Sequence, residues 1–134
     1  MTAVAIRHLV IVLGDQLDLQ AAGLDGFDAK KDCIWMAEVK HESTHVPSSK
    51  QRIAVFLAAM RHFAKELRTR GWPMDYITLD HSPHESTLGE ALKQAIKKHQ
   101  PAKLIMTAPG DWRVLQELRG VAESSRVPLE IRED

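Results

Sequence analysis

Residues 8–14 read HLVIVLG: five apolar residues in a row, closed by Gly14. A continuous apolar run of this length, with no polar residue at alternate positions, reads as a strand covered on both faces. Such a strand needs neighbours beside it and helices above and below it. CIWMAEV (33–39) is a second run of the same kind. MDYITLD (74–80) alternates, with Tyr76, Thr78 and Asp80 on one face and Ile77 and Leu79 on the other. KLIMTA (103–108) and the weaker PLEIRE (128–133) complete a predicted set of five strands.

Helical patterns fall between them. From about Ser49 to Arg70, Ile53, Phe56, Leu57, Met60, Phe63, Ala64 and Leu67 recur at helical spacing and form one stripe. Ser48 or Ser49 suits its start, and Gly71 stands where a left-handed residue closes a helix. A second helix over 86–99 carries Leu88, Leu92, Ala95 and Ile96, with TLGE (87–90) as a capping box and Lys97, Lys98 and His99 at its negative end. A third begins near Asp111 and carries Trp112, Leu115, Leu118 and Ala122. Residues 17–29 suggest a short helix broken by Gly23 and Gly26. Strands alternating with helices imply a mostly parallel sheet covered on both faces, with right-handed crossovers.

Composition narrows the classes. The chain has 134 residues, enough for one domain over 1–134, with 44% hydrophobic and 27% charged residues. Eighteen basic residues balance eighteen acidic ones, so charge gives no argument for nucleic-acid binding. No apolar run approaches the ~20 residues of a membrane span, and the N-terminus lacks the pattern of a signal peptide. The single cysteine, Cys33, makes no internal disulfide, falls inside a predicted strand, and is expected to be buried rather than reactive. The expected location is cytoplasmic.

HESTH (41–45) matches the H-E-x-x-H zinc-protease pattern. A zincin needs both histidines on one helix turn, yet Ser43 and Thr44 are weak helix formers and Pro47 opposes helix at Val46. A polar loop is the expectation there, and likewise for HSPH (81–84); no metal site is expected. No G-x-G-x-x-G, P-loop or G-x-S-x-G motif occurs, and no catalytic constellation emerges.

Open parallel sheets bind ligands beyond the carboxyl ends of their strands. Three polar clusters fall there. GDQL (14–17) offers a free backbone at Gly14, an acceptor at Asp15 and an amide at Gln16. Glu38 ends the second strand, and PGDWR (109–113) supplies a turn, a helix cap at Asp111 and the flat face of Trp112. Together they suit a small heteroaromatic ligand.

LVIVLGDQL, the segment from MAEVKHESTH through the long helix to RTRGW, TAPGDWRVLQEL and LEIRED together resemble the N-terminal domain of the photolyase-related proteins, the iron–sulfur bacterial cryptochromes and (6-4) photolyases, over about residues 7–134. The resemblance implies a Rossmann-like three-layer α/β sandwich with a five-stranded parallel sheet. It also implies an antenna chromophore, 6,7-dimethyl-8-ribityllumazine, which passes excitation to FAD in a C-terminal domain absent from this sequence. That domain would also carry a [4Fe–4S] iron–sulfur cluster and the DNA-lesion site. The whole protein would then be a DNA-binding photolyase, a lyase that repairs DNA, or a cryptochrome that signals. This domain alone would be non-catalytic and would not bind DNA.

Carried over residue by residue, Gly14, Asp15, Gln16 and Leu17 match the first loop, Glu38 the acid ending strand two, Ile53 the pocket wall on the long helix, and Pro109, Gly110 and Trp112 the last loop. Asp111 stands where the family usually has Glu. LEIRED ends the chain without a closing helix, an ending expected of a piece of a longer protein. The alternative is an α/β interaction domain with an empty pocket, homodimerising through a face left exposed.

Overall fold

The computed structural model describes residues 6–14, 16–38, 50–77, 88–110 and 112–133, apart from the side chains of 50–54 and 56. Five strands form one sheet: β1 (His8–Ile11), β2 (Asp32–Ala37), β3 (Met74–Ile77), β4 (Lys103–Thr107) and β5 (Leu129–Arg132). The order is β3-β2-β1-β4-β5, and every pairing is parallel. Three α-helices cover it: α1 (Lys50–Thr69), α2 (Leu88–His99) and α3 (Trp112–Ser125). This is the expected α/β sandwich, and the apolar run at residues 9–13 lies at its centre.

Alternation along β1 sends its residues to both layers. Leu9 and Ile11 join Trp35, Leu104 and Met106 under α2 and α3. Val10 and Val12 join Ile34 and Met36 under α1, through Met60, Phe63, Ala64 and Leu67. Leu9 through Leu13 are all buried, which is why no polar residue interrupts the run. Strand pairing stops earlier than the apolar run does. The ladder ends at Ile11, the Val12 amide still reaches the Trp35 carbonyl at 3.0 Å, and Gly14 already lies in a turn.

Helix ends follow local chemistry. After α1 the Trp72 amide bonds Leu67 O at 3.1 Å and the Gly71 amide bonds Arg68 O at 2.9 Å, with Gly71 at φ 78°. This is the Schellman arrangement that a glycine favours. The same arrangement closes α3 with Arg126 in the left-handed position at φ 58°, and Gln100 takes φ 46° after α2. Neither is glycine, so both turns carry strain.

Two expectations change. Residues 17–29 hold only a single 3-10 turn, Ala22–Leu24. Arg132 on β5 donates to Ala22 O at 3.1 Å and Asp25 O at 2.7 Å, and Thr107 Oγ1 accepts the Gly23 amide at 2.9 Å. Groups that an α-helix would pair within itself are thus tied to the sheet. Trp112 is 69% exposed rather than part of the buried stripe of α3, which packs on α2 through Leu118 and Ala122. Among the described residues, no helix is long and apolar enough to cross a membrane.

The amino end of β2 is closed by an ion pair. Asp32 accepts Arg7 Nε at 2.9 Å and Nη2 at 2.6 Å, and also the amides of His8 at 3.2 Å and Asp28 at 2.8 Å. Burial alone would raise the Asp32 carboxyl, but these donors outweigh it and hold it below the ordinary range. Next to it, burial and the charge of Asp75 push the Cys33 thiol up to about 11.

Candidate functional site

Order β2-β1-β4 makes the chain leave β1 toward one side of the sheet and β4 toward the other. Their end loops part, and a crevice opens at this switch point. A cavity of about 370 Å³ lies there, lined by Gln16, Leu17, Asp18 and Ala21 from the first loop and Thr107, Ala108 and Gly110 from the last. Its size falls in the range of small-molecule sites, roughly 300–1,000 Å³.

The loops are tied together. Gln16 Nε2 donates to Thr107 O at 3.0 Å and Ala108 O at 3.2 Å. Its own amide bonds Leu13 O at 2.9 Å, which sets the turn after buried Gly14. Thr107 ends buried β4, and its hydroxyl holds the 3-10 turn at Gly23. A Cβ on Gly23 would sit 2.9 Å from that hydroxyl oxygen, so the close approach requires glycine.

Glu38 follows β2 on the face that α1 covers. Its side chain is 0% exposed. Arg61 grips it with Nε at 2.8 Å from Oε2 and Nη2 at 2.9 Å from Oε1. The Tyr76 hydroxyl, from β3, donates to Oε2. Burial and the bond to Glu38 raise the Tyr76 phenol well above its ordinary value, so it stays protonated and remains a donor. The hydrogen bond and charge of Glu38 likewise keep Arg61 ionised.

Of the expected site residues, Gln16, Leu17 and Gly110 line the cavity. Gly14 and Pro109 belong to the same loops without lining it. Glu38 stands one strand away in its own polar cluster. Trp112 opens α3 and faces solvent. Asp15, Asp111, His41, His45 and the HSPH segment lie outside the described residues, as does the side chain of Ile53. Among the described residues, no group of three or more His, Cys, Asp or Glu could hold a metal. Sequence reasoning missed Arg61, Tyr76 and Thr107. Arg61 borders the apolar stripe, four residues after Leu57, and that position was its one available signal. A second cavity, about 410 Å³ between α3 and β5, includes Arg119, Arg126 and Leu129 but none of the expected residues.

Fold and crevice together define a doubly wound α/β domain with a crevice at the carboxyl ends of its strands. A family model described as deoxyribodipyrimidine photo-lyase-related protein matches residues 10–134. A (6-4) photolyase from Agrobacterium fabrum is 40% identical over 129 residues, 96% of this chain and 25% of the relative. The chain belongs to the photolyase-related family. It spans about a quarter of the length of the curated relative it matches.

Proposed function

We propose that this domain binds an antenna chromophore, 6,7-dimethyl-8-ribityllumazine, for a photolyase-related protein that acts on DNA. The observation that carries the reading is the cavity of about 370 Å³ between the GDQL loop and the loop after β4. The ligand's demands fit the residues present. A fused ring with a hydroxylated chain needs a pocket of this size, an apolar wall such as Leu17 and polar groups such as Gln16 and Asp18. When bound, the chromophore absorbs light and passes excitation to FAD held elsewhere in the longer protein. FAD, the iron–sulfur cluster and the lesion site belong in this reading to that further domain. The chain's own residues bind and orient; none is assigned a bond-making step.

Fluorescence titration of the purified chain with the lumazine tests the reading. Gly110 has open space where a Cβ would be added, so Gly110→Phe fills the cavity mouth without disturbing the core. Saturable binding by wild type and none by Gly110→Phe is expected. A wild type that binds no lumazine refutes the reading, and equal binding by the variant moves the ligand away from this cavity. A second reading, an interaction domain with an empty pocket, draws on Val55 and Trp112, each 69% exposed. Light scattering across concentrations would reveal self-association.

A further inference from the structure

The Glu38–Arg61–Tyr76 cluster lies on the same face and at the same end of the sheet as the cavity. It has a property that Glu38 alone lacks. A guanidinium carries five N–H donors. The fork onto Glu38 uses one on Nε and one on Nη2. Three remain, on the edge turned away from the carboxylate. Among the described residues they meet no carbonyl and no second carboxylate, only the Tyr76 hydroxyl beside them, and the Arg61 side chain is 52% exposed. The opposite edge is fixed, because the carboxylate it grips is fully buried and also receives Tyr76. Arg61 is therefore a preorganised donor edge on a rigid base.

Its charge selects the partner. Glu38 already neutralises Arg61, so a full phosphate would gain less here than at a lone arginine. A neutral or weakly acidic ring with paired carbonyls gains the hydrogen bonds without needing net charge. From β2 to β4 is two strands, about 10 Å at the usual inter-strand spacing. A ligand filling the cavity and reaching Arg61 must be elongated.

We propose that Arg61, positioned by Glu38 and Tyr76, binds the carbonyl edge of the chromophore ring and determines its specificity. The inference rests on the antenna reading and adds the group that recognises the ring. Glu38 is then a positioning residue, acting through Arg61.

The decisive variant is Arg61→Lys in the full chain, with the lumazine as probe. Lysine keeps a cation opposite Glu38 but removes the outward edge. Affinity is expected to fall about tenfold or more, the scale of losing hydrogen bonds from a charged group. The absorption maximum of the bound lumazine should move toward that of the free compound, while unfolding in urea stays a single cooperative transition at a lower midpoint, because the two-point grip on buried Glu38 is lost. Glu38→Gln, which loosens the fork, should weaken binding in the same direction. Wild-type affinity and band position in Arg61→Lys would overturn the role of Arg61 and leave the antenna reading standing. Absence of lumazine binding by wild type would overturn both.

Discussion

Strand β2 carries a buried carboxylate at each end, and arginine grips both. At the amino end, Asp32 is held by Arg7 and by two backbone amides, those of Asp28 and His8. Beyond the carboxyl end, Glu38 is held by side chains reaching from α1 and β3. The chemistry is the same but the supports differ. Backbone donors cannot be exchanged without refolding the loop, so the first end is a structural latch. Side-chain donors can be retuned one at a time, and they stand where a parallel sheet binds ligands.

The strongest way to break this contrast is Asp32→Ala. It leaves the amides of His8 and Asp28 without their acceptor and is expected to cost about 3 kcal/mol in urea denaturation, the scale of unsatisfied donors, with no change in lumazine affinity. A binding loss in a folded variant would erase the distinction. Acid sharpens it. The Asp32 carboxyl is depressed in the folded state, so its contribution is complete above the unfolded value of about 3.9 and is lost as pH falls through the folded value. Glu130, lowered to about 2 by Lys103 and then Arg132, follows the same sign. Between about pH 5 and 3, Asp32→Ala should therefore lose less stability than wild type.

Gly23→Ala comes next in size, at the carboxyl end. The added methyl meets Thr107 Oγ1 at 2.9 Å, and overpacking of this kind costs about 1–3 kcal/mol. Because the 3-10 turn backs the Ala21 wall, lumazine binding should weaken along with stability. A stability loss with unchanged binding would separate the turn from the site.

The smallest effect is a gain. Arg126→Gly and Gln100→Gly place glycine at φ 58° and φ 46°. Both follow helices and precede strands, at the amino side of the sheet. Relief of left-handed strain, partly offset by unfolded-chain entropy, should add about 0.5–1 kcal/mol each, read as a higher urea midpoint with binding unaltered.

The elements themselves were largely legible because burial imprints a period on the sequence. Leu9 to Leu13, the stripe from Leu57 to Leu67 and the glycine at 71 each say locally what they do. The loops GDQL and PG were legible by position, since strand ends in parallel sheets carry ligands. Arg61 and Tyr76 were not. They meet Glu38 across 23 and 38 residues of chain, and a pairing between elements leaves no periodic trace. Thr107 hid in another way. As the last residue of a buried strand it reads as core, while its hydroxyl serves a glycine 84 residues earlier.

Cys33 turns the sheet into its own recorder. It is the chain's one cysteine, buried in β2 between β1 and β3, with its thiol held at about 11. In the closed sheet an alkylating reagent finds little access and little thiolate, so the labelling rate reports how often the strand opens. A ligand that binds only the folded domain slows this clock by the factor 1 + [L]/Kd. The label's rate thus measures occupancy without any optical signal from the ligand.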